Sequence, residues 1–372
     1  MSLQKNVGAV RRFAGLMKVA GWLQNIPNKV TPPPFRLMQI GSAFWQSRVL
    51  YVAAQLDIAT VLGDEPLVAD EIAVHVSAEP DAIYRLLRML AAMGVFKETR
   101  PRVFANNRLS AYLREDNPNN VRAMILMHNS DVMSRPWYEE LESCVRKGGV
   151  PFSCVHGEEL FDYMDTHPEF DALFSRAMDT VEALSGDTFA QDFDWKRFER
   201  VIDVGGSKGS KSVAILKRHS HLKALVVDRA QVVRDAEQHW AGREAPALLA
   251  RLSFQPGDLF ESVPMATSDK DIYLLSAVLH GLDDEACVSG LRNLYRACGG
   301  TRAHIAVMEM VMPESGADLT GAAFDMQMFM GTRGRERTLR DWSRLFDTSG
   351  FVLAEQVNLQ SFAKILVLKS KQ

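Results

Sequence analysis

The chain has 372 residues, 47% of them hydrophobic and 24% charged, with a formal net charge of −3. This length allows two or three domains and a large buried core, the composition excludes disordered and fibrous classes, and the charge gives no electrostatic reason to expect a nucleic-acid partner. Four cysteines (Cys144, Cys154, Cys287, Cys298) form no C-x-x-C pair and no metal-ligand spacing, so they read as reduced thiols of a cytoplasmic protein with no metal site, and no apolar run approaches the roughly 18 residues of a membrane span.

The N-terminal segment carries Lys5, Arg11, Arg12 and Lys18 between apolar positions such as Val7, Val10, Leu16, Ala20 and Leu23. It predicts an amphipathic helix that packs on a partner subunit, since it lacks the uninterrupted apolar core and cleavage site of a signal peptide. Residues 1–35 are read as a helical extension, ended by Pro32-Pro33-Pro34. Apolar faces through residue 60 predict a homodimer.

Residues 36–185 are read as a mainly helical, winged-helix-like domain with connecting helices. Phe44, Val49, Val52 and Leu56, then Ile83, Leu86, Leu87 and Leu90, recur at helical steps. Within LVADEIAVHVSAEPDAIYRLLRMLAAMGVF the pattern predicts a short helix, a turn capped near Ser77, and a second helix ending at Gly94. VFKETRPRVFANN predicts a hairpin around Arg100-Pro101. Such an arrangement raises a DNA-binding regulator as an alternative. Between residues 53 and 98, however, eight acids (Asp57, Asp64, Glu65, Asp70, Glu71, Glu79, Asp81, Glu98) face three bases (Arg85, Arg88, Lys97). That segment would repel phosphates, so a dimerisation module is favoured.

Residues 103–195 are mostly helical in pattern, and residues 186–372 change rhythm. VIDVGG, KALVVD, DIYLLSAVL and HIAVMEMV are short apolar runs separated by helix-length amphipathic segments. This predicts an α/β domain with a doubly wound, Rossmann-like parallel sheet, closed by FVLAEQVNL and FAKILVLKS as an edge hairpin.

The loop VIDVGGSKGSKS follows the first of these strands. A P-loop would need its second glycine where Ser210 stands, and a dinucleotide loop needs a glycine spacing that 205, 206 and 209 do not provide. What fits is D-x-G-x-[small]-x-G, with Asp203, Gly205, Gly206 and Gly209, and Ser207 in the middle glycine slot. The glycines would let backbone approach a cofactor without a Cβ clash. Asp228 ends the second strand, where an acid accepts ribose hydroxyls. Gly257-Asp258 follow the third strand, with Asp258 suited to an adenine amino group and Leu259 and Phe260 to the base. Lys208 and Lys211 are read as solvent-facing. Acids at three successive strand ends suit an adenosyl ligand without phosphates, and S-adenosyl-L-methionine is favoured over NAD and ATP.

VIDVGGSKG, GDLFESVP, DIYLLSAVLHGLDDEAC and MGTRGRERTLRDWSRLFDTSGF, with RKGGVPF and PEFDALFSRAM in the connecting region, together resemble the S-adenosylmethionine-dependent O-methyltransferases of the caffeate/hydroxyneurosporene type. The resemblance runs from about Phe44 to the end. It implies a homodimer of chains with a winged-helix dimerisation half and a methyltransferase half. It also implies that His280 is a general base whose ring is held by Glu309, after the next strand, and by Glu336. A neutral imidazole can take a hydroxyl proton, and a carboxylate on the far ring nitrogen fixes its tautomer. Ser276 falls among the cofactor-binding positions, where plant members often have lysine. Gly281 and Leu282 depart from the family's Asp and Trp, which removes a substrate-hydroxyl partner and a flat wall. Phe174, Met178, Gly281, Phe324 and Met328 are read as substrate-facing, with Met330 a little further on the face of Phe324 and Met328; methionines adapt to irregular aromatic guests. The implied reaction is O-methylation of a small aromatic or polyketide-like secondary metabolite. The alternative is a relative that binds the same cofactor and hydroxylates, decarboxylates or rearranges its substrate without methyl transfer.

Overall fold

The computed structural model describes residues 2–261 and 263–371, apart from the side chain of Ser185. Two compact units appear, Leu23–Gly186 and a second made of the residues up to Trp22 together with those from Asp187 onward. The start of the chain, up to Trp22, groups with the C-terminal unit. Leu3 is buried, its N–H donates to the Glu355 carboxylate at 2.9 Å, and Gln4 bridges Phe193. An apolar residue flanked by a carboxylate partner and a backbone bridge ties a terminus down.

In the Leu23–Gly186 unit, Pro33 and Pro34 open the helix Pro33–Gly41, where a missing N–H leaves no bond unmade. Helices Ala43–Gln55, Ile58–Leu62, Ala69–His75 and Pro80–Ala92 pack with a small sheet of β1 (Leu67–Val68), β2 (Lys97–Arg100) and β3 (Val103–Ala105), ordered β1-β3-β2. Ile58, Leu62, Ile72, Leu87, Leu90, Phe96 and Phe104 form its core. The turn before Pro80 is capped by Glu79, whose carboxylate accepts from the Ala82 N–H at 2.6 Å, and not by Ser77. Ser77 instead takes the left-handed φ of 52° that reverses the chain. A second cluster, with Met127, Phe152, Met164, Phe170 and Ala177, joins the connecting helices.

The other unit is built on β4 (Arg200–Val204), β5 (Lys223–Asp228), β6 (Leu252–Pro256), β7 (Asp271–Ser276), β8 (His304–Met312), β9 (Arg337–Thr338), β10 (Phe351–Asn358) and β11 (Ala363–Ser370). Its order is β10-β11-β8-β7-β4-β5-β6, with β9 parallel to the end of β8. β4 to β8 run parallel, while at the edge β11 lies antiparallel to both β8 and β10. Alternate residues feed opposite faces: Val201, Ile272, Leu274 and Ala306 enter one core, and Ile202, Tyr273, Leu275 and Ile305 the other. A strand covered on both faces therefore reads as a continuous apolar run. The order reverses between β4 and β7, so the loops after β4, β5, β6 and β7 share the crevice where such sheets bind ligands.

Candidate active site

The loop after β4 is built on its own residues. Asp203 is buried and accepts from Ser212 Oγ at 2.8 Å, which ties the strand end to the first turn of the helix Ser210–Arg218. The Gly209 N–H donates to the Gly206 carbonyl at 2.8 Å. The glycines answer first to the protein itself. Gly205 has φ 72° and a β-carbon there would lie 2.8 Å from Val278, while one at Gly206 would lie 2.6 Å from the Asp203 carboxyl carbon. Ser207 takes φ 51°, a conformation that glycine adopts without strain. Its N–H donates to Asp228 Oδ2 at 2.8 Å, and the Arg229 N–H donates to Oδ1 at 2.8 Å, so the acid at the tip of β5 is oriented from both sides and stays half-buried.

The neighbouring positions divide. Gly257 N–H donates to the Asp228 carbonyl at 3.0 Å, and exposed Asp258 accepts from the Phe260 N–H at 2.5 Å. Phe260 is exposed, but Leu259 turns the other way and fills the core against Gly290. Its side chain is buried there, where a β-carbon at Gly290 would lie 2.8 Å from it. Lys208 and Lys211 are half-buried rather than solvent-facing, and the Lys208 carbonyl accepts from the Trp240 indole at 2.5 Å. Ser276 ends β7, half-buried, before Ala277 turns the chain at φ 52°.

His280 sits in the short turn Leu279–Gly281 between β7 and the helix Asp284–Ala297. Its Nδ1 lies 2.9 Å from Glu336 Oε1 and 3.8 Å from Glu309 Oε2. Glu336 is thus the ring's hydrogen-bond partner and assigns Nδ1 as the donor, leaving Nε2 as the basic atom. Glu309 does something else. It lies inside β8, not after it, and its Oε1 accepts from the Val278 and Leu279 N–H groups at 3.0 and 2.9 Å. It fastens the turn more than the ring. The β8–β9 pairing, Val311 opposite Arg337, brings Glu336 alongside. A capping box closes the next turn, with Thr338 Oγ1 donating to Asp341 Oδ2 at 2.9 Å, and the Glu336 N–H donates to Asp325 at 2.9 Å.

Two further residues fix the turn, and neither was singled out from the sequence. Arg337 is fully buried and donates to the Leu279 and Leu282 carbonyls at 3.0 and 2.7 Å and to Asp284 Oδ1 at 3.0 and 2.9 Å. Gly334 packs so closely that a β-carbon would lie 1.9 Å from the His280 carbonyl oxygen. The only sequence signal for them was their place in GTRGRERT.

Burial alone would lower the His280 pKa. The charge on Glu309, the hydrogen bond to Glu336 and the charge on Glu336 outweigh it, against opposition from Arg337, and raise it to about 9. Burial also pushes the Glu309 carboxyl upward, so the two groups compete for a proton. We assign it to the imidazole, because Glu309 Oε1 already accepts two backbone N–H bonds that favour the anion.

The predicted substrate residues come from both units. At Gly281 a β-carbon would meet nothing within 4 Å, and its φ is not left-handed. On the helix Leu319–Gly331, Phe324 is exposed and Met328 half-buried, whereas Met330 is buried and off that face. Phe174 and Met178, both half-buried, belong to the other unit on the helix Pro168–Ser185, against its own core cluster.

A Rossmann-like sheet with an acid-rich crevice and a carboxylate-held histidine defines an α/β enzyme for a nucleoside-type cofactor. The O-methyltransferase domain signature matches residues 138–352, and the O-methyltransferase dimerisation domain signature matches residues 38–116. The chain belongs to the O-methyltransferase family and uses S-adenosyl-L-methionine. It is similar to phenazine O-methyltransferase PhzM of Lysobacter antibioticus, 32% identical over 85% of this chain and 90% of that one. It is also similar to O-demethylpuromycin-O-methyltransferase of Streptomyces alboniger, 29% identical over 85% of this chain and 83% of that protein. The crystal structure of human N-acetylserotonin methyltransferase in complex with S-adenosylmethionine superposes with a TM-score of 0.79 at 25% identity, covering 92% of this chain and 99% of that one. Among the described residues no helix is long and apolar enough to cross a membrane.

Proposed function

We propose that this enzyme methylates a hydroxyl of a small, flat aromatic or polyketide-like secondary metabolite, with His280 Nε2 taking the hydroxyl proton. The observation that carries the reading is the Nδ1–Glu336 bond, which commits one ring nitrogen to a carboxylate and leaves the other basic. The relatives named for phenazine and O-demethylpuromycin methylation support the substrate class.

The crevice residues fit an adenosyl group. Carboxylates at the tips of β5 and β6 suit ribose hydroxyls and an adenine amine, and Phe260 offers an exposed ring. Asp228, Asp258 and the Gly205–Gly209 loop would hold S-adenosylmethionine, with Gly206, Gly257 and Ser276 completing the rim. When bound, the cofactor supplies an electrophilic methyl on a sulfonium. His280, its Nδ1 held by Glu336, would take at Nε2 the proton that the substrate hydroxyl gives up. With a pKa near 9 the imidazole is mostly protonated at neutral pH, so substrate burial, which lowers it, helps free the base. Gly281 leaves space where a side chain would otherwise stand, and Phe324 and Met328 offer apolar surface for a broad guest.

The same reading makes the protein a homodimer, supported by the dimerisation signature and by exposed Leu16, Trp22, Phe35, Leu37 and Trp45. Four free cysteines suit a cytoplasmic setting.

Incubation with a panel of hydroxylated aromatics tests the chemistry by mass spectrometry. The expected result is a gain of one methylene unit with stoichiometric S-adenosylhomocysteine, and His280→Ala should lose about 10²–10⁴ in turnover while binding cofactor. Product formed without S-adenosylhomocysteine would overturn methyl transfer, and undiminished turnover in His280→Ala would overturn its role as base.

A further inference from the structure

Far from His280 in sequence, in the Leu23–Gly186 unit, the fold assembles a group that the cysteine spacing gave no reason to expect. Glu140 and Cys144 are one helical turn apart, at the start of and within the helix Leu141–Lys147. Cys154 comes from the next helix, Pro151–His156, across the turn through Gly148 and Gly149. The two sulfurs lie 3.7 Å apart, and the carboxylate and both sulfurs all lie within 4.8 Å of one another. Gly149 closes the turn at φ 106°, and a β-carbon there would come within 3.7 and 3.8 Å of the two sulfurs. A left-handed glycine thus brings the thiols together and leaves space beside them.

We propose that Glu140, Cys144 and Cys154 form a binding site for a soft divalent cation of the zinc class. Two thiolates on a tetrahedral zinc, each at about 2.3 Å, stand about 3.8 Å apart, close to the separation already present. A disulfide needs sulfurs at about 2.05 Å and so a large further approach. Thiolate donors select zinc-like ions over magnesium or calcium, and a carboxylate is an accepted third ligand. Cys144 is buried, which holds the inner side of the site, while Cys154 is exposed and gives an entry path and room for a water as fourth ligand. On binding, the two thiols release two protons, so that the cation is held by two thiolates and the Glu140 carboxylate. Bound metal would cross-link two helices of the connecting region around a turn rich in glycine. Its three residues all belong to the Leu23–Gly186 unit, and the proposal does not depend on the reading of His280.

The test is titration of the full-length, reduced chain with Co²⁺ alone, followed by optical spectroscopy. The proposal predicts saturation at one equivalent, a thiolate-to-cobalt charge-transfer band, the intense visible bands of a tetrahedral site, and their loss on adding Zn²⁺. Cys154→Ser should weaken the charge-transfer band, and the double variant Cys144→Ser/Cys154→Ser should abolish it while retaining the wild-type melting temperature and S-adenosylmethionine affinity. Glu140→Gln should weaken Co²⁺ binding without removing the thiolate band. A weak octahedral spectrum, bands that survive in the folded double variant, or no bands together with a loss of two hydrogens on air oxidation would each overturn it.

Discussion

Two regions of the same unit reach order by opposite routes. The loop after β4 holds itself: Asp203, Gly206, Gly209 and Ser212 satisfy one another within ten residues, with Asp228 from the adjacent strand. The His280 turn holds almost nothing by itself. Its backbone N–H groups go to Glu309 on β8, its carbonyls to Arg337, its ring to Glu336, and Gly334 presses against it. On the proposed reading a binding loop tolerates local construction, because a cofactor there would meet backbone and strand tips. A base must point one nitrogen at a reacting hydroxyl, and that calls for restraint from several distant elements.

If the contrast is right, changes around the turn should be costly and changes in the loop mild. The largest effect is expected at Gly334→Ala, because a methyl group has no room against the His280 carbonyl and the obstructing atom is backbone. Turnover should fall about 10²-fold or more, with S-adenosylmethionine affinity, read by calorimetry, unchanged. A kinetically normal Gly334→Ala would mean that the turn relaxes freely.

Arg337→Met should come next. It takes a buried charged donor from the Leu279 and Leu282 carbonyls and from Asp284, leaving Leu279 only the Leu282 N–H and the weak Cys287 thiol, so urea unfolding should show a loss of about 3 kcal/mol, discounted for the part-exposed Asp284. Arg337→Lys should recover part of it. An unchanged midpoint in both variants would contradict the assignment of Arg337 as the clamp.

The smallest effect is expected in the loop. Ser207→Gly relieves a left-handed serine but frees the unfolded chain, so stability should move by less than about 1 kcal/mol in either direction. Its N–H can still donate to Asp228, and cofactor affinity should hold. A tenfold loss of affinity would show that the serine side chain itself serves the ligand.

The same contrast explains what could be read from the sequence. The strands, the edge hairpin and the loop were legible because apolar periodicity and D-x-G-x-[small]-x-G are local patterns. The function of Glu309 was not, because a carboxylate inside a buried strand has no local signature that it will serve the backbone of another element. The packing of Leu259 against Gly290 was not legible either, because its adjacency to Asp258 says nothing of which helix meets its side chain. Arg337 and Gly334 stood in a stretch already singled out for Glu336, but only the pairing of β9 with β8 shows what they press upon. The Cys144–Cys154 proximity was hidden for the same reason: the turn through Gly149, not the spacing, brings the sulfurs together.

The claim that joins these observations is that His280 is the base and that Glu336 sets its basicity. The most direct measurement is the pH dependence of kcat/KM for the wild type and Glu336→Gln, with one hydroxylated substrate. Because the raised imidazole must lose its proton before it can accept one, kcat/KM should climb with pH until about 9 in the wild type. Glu336→Gln removes a negative charge from the ring, so its rise should finish at lower pH, while the substrate's own ionisation is the same for both enzymes. A shift to lower pH is the predicted result; superimposable profiles would show that the rise belongs to the substrate and that His280 is not the base.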